Sequence, residues 1–196
     1  MKFVLIGNSG IGKTSLARRF KYDDYIDFNT STIGVDVQLK TYHLFDNDVN
    51  VLLWDTAGQE RFKSISSTFY RDSVCVFICF DHTNRKSFDD ISNWLSNMLP
   101  FLPKYSNIVL VGLKTDLECN FQVSELEAKT FAKKHFMSYY PISSKTGKNV
   151  ERLFLNQVEN IYSDILNHKF EIPIHLGGIK IKNKNNNKRR GYCWLY

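Results

Sequence analysis

Three features of the sequence predict an open α/β fold. Short apolar runs alternate with amphipathic helical stretches; one alternating strand is joined to an apolar strand by a tight polar turn; and the first apolar run breaks into a glycine-rich turn that opens a helix. Together they imply a six-stranded mixed sheet with one antiparallel edge strand and helices on both faces. Residues 1–170 are expected to form this domain, and 171–196 a flexible basic tail.

The first element is the apolar run beginning at Phe3, a buried strand. A helix over about Lys13 to Phe20 follows, with Leu16, Ala17 and Phe20 on its buried side. Lys21 to Gly34 is polar and without a period, which is long for a structureless connection and marks a functional loop. An alternating strand then places Val37, Leu39 and Thr41 on one face and Gln38, Lys40 and Tyr42 on the other. Asp46-Asn47-Asp48 is expected to turn the chain into the apolar strand Val49 to Trp54, and Asp55 to Glu60 opens a second polar loop.

Ser73 to Phe80 is apolar throughout, as a strand covered on both faces should be, with Cys75 and Cys79 on one side of it. Phe88, Ile91, Leu95 and Met98 recur at helical spacing until Pro100. Ile108 to Val111 is a further buried strand, and Ser124 with Glu127 has the form of a capping box for a helix reaching His135. Tyr139 to Ile142 reads as a short strand. The last helix carries a stripe of Val150, Leu153, Phe154, Val158, Ile161, Tyr162, Ile165 and Leu166. Beyond Pro173 the apolar residues lose their period and Lys182 to Arg190 is an Asn/Lys/Arg run.

Charge is unevenly placed. Lys180, Lys182, Lys184, Lys188, Arg189 and Arg190 follow the last acidic residue, Glu171, and equal the whole net charge of +6. A neutral body with a basic tail argues for local attachment to an anionic membrane surface and against a nucleic-acid-binding face. The cysteines form no CxxC pair and no Cys/His cluster, so neither zinc nor a disulfide framework is indicated. The opening residues read as a core strand rather than a leader, and no apolar stretch reaches the roughly 18 residues of a membrane span. A cytoplasmic setting is expected.

The chemistry begins at Gly7 to Thr14, GNSGIGKT, which has the G-x-x-x-x-G-K-T form of a P-loop. Such a turn aims backbone N–H groups at a phosphate, and the helix start adds partial positive charge. Lys13 supplies a cation for the outer phosphates, and the Thr14 hydroxyl can ligate magnesium. In an open α/β sheet the ligand lies beyond the carboxyl ends of the strands. Asp55 ends one strand and is expected to hold magnesium through water; the bland alternative is a turn or capping residue. Gly58 can bring its N–H against a terminal phosphate, and Gln59 can orient an attacking water, although on pattern alone it could be an ordinary exposed glutamine. Thr32 could reach magnesium only while a third phosphate holds its loop closed, which makes an order–disorder switch.

Lys114-x-Asp116 follows another strand. A carboxylate there accepts two hydrogen bonds from guanine N1–H and its amino group and mismatches adenine, while the Lys114 stem can cover the base. Ser144 and Lys145 follow the next strand, where a backbone N–H can reach the guanine O6.

With these motifs in place the chain resembles the small GTPases of the Ras superfamily, and among them the Rab family of membrane-traffic regulators. The resemblance is carried by GNSGIGKT, TIGVD (Thr32–Asp36), WDTAGQERF (Trp54–Phe62), FYRD (Phe69–Asp72), GLKTD (Gly112–Asp116) and SSK (Ser143–Lys145). It implies that Ser9, Gly10, Ile11, Gly12, Lys13, Thr14 and Ser15 wrap the phosphates of GTP or GDP. It implies further that Thr14, Thr32 and Asp55 serve Mg2+, that Gln59 positions water, and that Tyr25 packs on the guanine edge. Ser9 stands where Ras itself has glycine and Rab proteins often have serine. The implied biology is a GTP-hydrolysing switch in vesicle-mediated transport, worked by a guanine nucleotide exchange factor and a GTPase-activating protein. Effector proteins would bind the loops around Thr32 and Gln59, with exposed Trp54 and Tyr70 beside them; packing under a helix is the other reading of those two rings. The setting would be the cytosolic face of endomembranes, with features of TIGVD and FYRDS reminiscent of Golgi-associated members.

Three positions depart from the family pattern. Leu113 replaces the asparagine of N-K-x-D that bridges base and phosphate loop, which predicts weaker nucleotide retention. Val37 replaces a phenylalanine of the effector-facing aromatic group. The chain ends Cys-Trp-Leu-Tyr, so Cys193 is a candidate for a prenyl group in C-a-a-X form instead of the usual paired cysteines, and Trp194 and Tyr196 are atypical there. The alternative is a weakly or non-hydrolysing scaffold that binds guanine nucleotide and recruits partners without cycling.

Overall fold

A computed structural model describes residues 1–26, 34–56 and 69–167. Six strands form one sheet: β1 (Lys2–Ile6), β2 (Val35–Leu44), β3 (Asn47–Thr56), β4 (Cys75–Asp81), β5 (Asn107–Leu113) and β6 (Ser138–Pro141). Their order is β2-β3-β1-β4-β5-β6, parallel except for the edge strand β2, which pairs antiparallel with β3. Among the described residues the α-helices include α1 (Lys13–Tyr22), α2 (Arg85–Asp89), α3 (Ile91–Met98), α4 (Glu125–Lys134) and α5 (Val150–Leu166). This is the mixed six-stranded architecture that the sequence predicts.

Strand β4 shows why a continuously apolar strand belongs in the middle of such a sheet. Cys75, Phe77 and Cys79 enter one core with Leu16, Ala17 and Phe20 of α1 and Leu153, Phe154 and Val158 of α5. Val76, Ile78 and Phe80, pointing the other way, enter a second core with Phe88, Ile91, Leu95 and Met98 of α2 and α3 and Ala128 and Ala132 of α4. The two cysteines thus share a face, as their spacing requires. Ser124 Oγ accepts a hydrogen bond from the Glu127 N–H at 3.1 Å, so the expected cap on α4 forms.

Several details differ from expectation. The β2–β3 turn is the two-residue loop Phe45–Asp46, because Leu44 pairs with Asn47 and His43 with Asp48; φ is positive at both turn residues. On β2 the face carrying Lys40, Tyr42 and Leu44 turns inward, leaving Val37 and Leu39 exposed on the other. The helical pattern before Pro100 divides into α2 and α3, ending in a 3₁₀ turn at Leu99–Phe101. The stripe on α5 stays buried only through Tyr162, and Leu166 is exposed. Tyr70 is buried against the second core and Trp54 is half-buried, with the Lys2 ammonium 4.2 Å from its ring centre, so neither stands out as a free recognition surface. The strand ends Ile6, Thr56, Asp81 and Leu113 point to one edge of the sheet, and the sequence-predicted site residues follow them.

Candidate nucleotide and magnesium site

The phosphate loop leaves β1 between two demands. Gly7, with φ +134°, lies so close to β4 that a Cβ would collide with the Cys79 carbonyl oxygen, which fixes the loop to its neighbouring strand. Ile11 is buried in the first core and anchors the crown of the loop. Gly12 is the N-cap of α1 at φ +104°, with no capping side chain and no acidic residue in the first turn. The first intrahelical bond there is Leu16 N–H to Gly12 O, so the N–H groups preceding it have no helical acceptor and suit an anion. Ser9 and Gly10 are exposed at the loop surface, and Ser15 is half-buried on α1.

Lys13 is buried, and its ammonium donates to Gly7 O at 2.9 Å and Asn8 O at 2.7 Å. Burial pushes its pKa down, opposed by the nearby Cys79 and Asp55. An ammonium carries three donors, so one is left over for an anion.

Across from it, the Thr14 hydroxyl donates to Asp55 Oδ2 at 2.6 Å. Asp55 is wholly buried at the end of β3, and its Oδ1 has no hydrogen-bond partner among the described residues. Burial raises its pKa, while the Thr14 hydrogen bond and the Lys13 charge pull it back. A buried carboxylate oxygen without a donor is costly. Hard oxygens on Thr14 and Asp55 are the donor type that magnesium takes, usually with several waters retained, so these residues fit that ion.

The base side is built differently. Lys114, at φ +61°, follows β5 with its ammonium 2.7 Å from Asp81 Oδ2, whose other oxygen accepts from the Thr83 N–H at 2.8 Å and hydroxyl at 2.7 Å. Asp116 is exposed and accepts from Ser143 Oγ at 2.6 Å. Ser144 is buried and Lys145 exposed in the loop after β6. Leu113 is buried in the first core, its Cδ1 4.0 Å from where a Gly12 Cβ would lie, so β5 touches the phosphate loop through an apolar side chain. Tyr25 is half-buried beyond α1. Thr32, Gly58, Gln59 and the tail with Cys193 lie outside the described residues.

Two supports carry no signal in the sequence. Arg19 on α1 donates from Nε to Ser144 O and from a terminal nitrogen to Lys145 O, each at 2.8 Å, tying the second base loop to the helix that starts at the phosphates. Asn8 donates to Asp90 Oδ2 at 2.6 Å and accepts from the Trp94 indole N–H at 2.8 Å, tying the phosphate loop to α3. Their partners lie 125, 126, 82 and 86 positions away, and no local pattern announces them.

The chain is similar to known proteins over most of its length. The Ras family profile matches residues 2–186. The chain is 38% identical over 160 residues to Ras-related protein Rab-2B of Dictyostelium discoideum, covering 82% of this chain and 79% of that one. It is 36% identical over 190 residues to Ras-related protein Rab-1D of the same organism, covering 97% and 92%. It is 33% identical over 192 residues to GTP-binding protein YPTM2 of Zea mays, covering 98% and 95%.

Proposed function

The chain belongs to the Ras family of small GTPases, on its Rab side, and from that premise we propose that residues 1–170 cycle between GTP and GDP at the site above while 171–196 attach the protein to endomembranes. The observation that carries the reading is Asp55, buried with one oxygen on the Thr14 hydroxyl and the other without a partner among the described residues, beside an uncapped helix start and a buried lysine.

In this reading the N–H groups of Gly10 to Ser15 and the remaining Lys13 proton receive the phosphates, and these donors are in place before charge shifts among the phosphate oxygens in the transition state. Thr14 and Asp55, joined by Thr32 in the GTP form, hold magnesium, which when bound offsets charge on the phosphate oxygens. Gln59 orients the water that attacks in line, and Gly58 meets the terminal phosphate. Asp116 accepts from guanine, Lys114 covers the base, Ser144 and Lys145 offer a backbone N–H to O6, and Tyr25 packs on the base edge. Exchange factor, GTPase-activating protein and effectors act on the loops around Thr32 and Gln59. No described helix is long and apolar enough to cross a membrane, and attachment falls to the basic tail and a prenyl group on Cys193.

Single-turnover hydrolysis of bound GTP by the full chain, with and without Gln59→Leu, tests the cycle. The variant is expected to hydrolyse at least about tenfold more slowly. Equal rates would favour the non-cycling scaffold.

A further inference from the structure

The end of the sheet opposite the nucleotide site has its own chemistry. The closed end of the β2–β3 hairpin, the connections leading into β5 and β6, and the end of α5 all lie there, because the parallel strands run away from it. Five of the eleven exposed large hydrophobic side chains among the described residues belong to this end: Phe45, Leu99, Phe101, Phe136 and Leu166. Scattered single apolar residues are ordinary on a protein surface. Two of these are not ordinary.

Phe45 is 80% exposed and Phe136 fully exposed, and both sit at positive φ, +46° and +55°. Such positions belong by default to glycine, asparagine or aspartate, and a bulky residue there is an outlier that invites a functional explanation. Among the described residues, every other non-glycine at positive φ is Asp, Asn or Lys. Large apolar side chains among the described residues accept this backbone strain only at the two turns of this end. Phe45 is also held in place, stacked on Tyr162 at 6.3 Å with the rings 14° apart.

The tail supports one occupant. The described end is itself near charge balance, with Arg71, Lys104, Lys133 and Lys134 against Asp46, Asp48, Asp72 and Asp164. The described chain stops there at Asn167, and the residues after Glu171 add six cations and no acid. Exposed aromatics beside lysines are what the headgroup layer of an anionic bilayer accommodates. We propose that this end of the domain is itself a membrane-contacting surface, which seats Phe45, Phe101 and Phe136 in the headgroup layer of an anionic bilayer. The inference rests on the tail delivering the protein to a membrane. It adds that the domain itself contacts the lipid through this end.

The test measures partitioning of the unlipidated, GDP-bound full chain onto phosphatidylcholine vesicles containing phosphatidylserine. Three variants are compared with wild type: Phe45→Ser/Phe101→Ser/Phe136→Ser; Leu117→Ser/Leu126→Ser, which removes apolar residues from the other end; and a tail variant with the six cations changed to Gln. The triple Phe variant is expected to bind about tenfold more weakly with its salt dependence unchanged and its GDP retained, the Leu variant as wild type. The tail variant loses the salt-dependent part. Binding of the triple variant equal to wild type, with loss only in the tail variant, overturns the proposal and leaves tail-mediated attachment standing. No binding by any chain removes both. Vesicle-free self-association that the Phe changes abolish would assign the surface to a second copy instead. Phe136→Ser alone, at a fully exposed position, keeps the test open if the triple variant unfolds: a loss of about threefold is expected and none overturns.

Discussion

Around the phosphates, Gly7 to Thr14 are fixed inside one strand–turn–helix unit and against the strands beside it; around the base, Leu113 to Asp116 and Ser143 to Lys145 take their positions from residues far off in the chain. On the first side the supports centre on two buried side chains, Lys13 on the Gly7 and Asn8 carbonyls and Asp55 on the Thr14 hydroxyl, with Gly7 against Cys79. On the second they reach the surface: Asp116 is exposed on Ser143, Lys114 is partly open beside Asp81, and Arg19 spans from α1 to the last loop. A phosphate carries charge that is met most strongly by groups withdrawn from water, so the charged groups that serve it, Lys13 and Asp55, are buried. A base needs one matched edge, and the loops that read it can be tied on from outside. The difference predicts steep losses from changes on the phosphate side and graded ones on the base side.

Lys13→Ala should break the phosphate side most. It removes a buried cation and leaves two carbonyl oxygens without a donor, so GTP affinity is expected to fall about a thousandfold, equivalent to roughly 4 kcal/mol. Isothermal titration with GTP measures it. A loss of less than about tenfold would show that the helix start alone holds the phosphates.

Arg19→Ala tests whether the base side depends on its distant tether. Two charge-assisted bonds to the Ser144 and Lys145 carbonyls disappear, and GDP dissociation is expected to quicken by about ten- to thirtyfold. Arg19→Lys keeps the charge but lacks the planar fork that spans the two carbonyls, so its rate should fall between. Fluorescent GDP release reads both. Leu113→Asn should act in the opposite sense and more weakly. An amide there could bridge base and phosphate loop, a gain of one or two hydrogen bonds worth about 1 kcal/mol each. Against this stands the removal of a buried leucine from the first core, where it packs beside Gly12. Up to about tenfold tighter GDP binding and a lower melting temperature are the expected pair. Unchanged affinity would mean that the base loop no longer needs the bridge.

What is legible in the sequence follows the same division. The succession of strands and helices, the helices on both faces of the sheet and the phosphate loop can be read because each depends on spacing within a few residues: the alternation on β4, the 3.6-residue stripe on α5, the glycines around Lys13. The order of the strands in the sheet is set by long-range pairing and is not read from such spacing. The base loop motifs can be located only after the strands preceding them have been placed. Arg19, Asn8 with Trp94, and Asp81 give no such signal, since their partners are brought near only by the finished sheet. The hairpin turn falls one residue earlier than its composition suggests. Asp46-Asn47-Asp48 has better turn chemistry than Phe45-Asp46, but the strand register, which pairs Leu44 with Asn47, prevails over it. Tyr70 has the polar neighbours of an exposed ring and is buried because the second core extends beneath it.

The smallest effect separates the base side from the phosphate side by pH. His82 is buried just past β4, its Nδ1–H donating to Val123 O at 2.7 Å and its Nε2 accepting from the Tyr139 hydroxyl at 2.8 Å. Phe121 stacks on the ring at 4.4 Å, and Gly112 is glycine because a Cβ there would collide with Nε2. Burial lowers the pKa of His82 below its ordinary 6.5, against the raising pull of Val123 O, Glu125 and Asp81. The unfolded chain therefore takes up its proton first on acidification. Stability contributed by neutral His82 is complete above about pH 6.5 and is lost as pH falls from there through the folded value, with a slope of at most about 1.4 kcal/mol per pH unit. Denaturant unfolding of the wild type between neutral and mildly acidic pH should show that loss, and His82→Gln should flatten it while lowering stability throughout. Because His82 joins the ends of β4 and β5 behind Lys114, GDP release should quicken over the same pH range in the wild type and not in the variant. A wild-type release rate that stays flat with pH would detach this cluster from the base loop and leave it as packing alone.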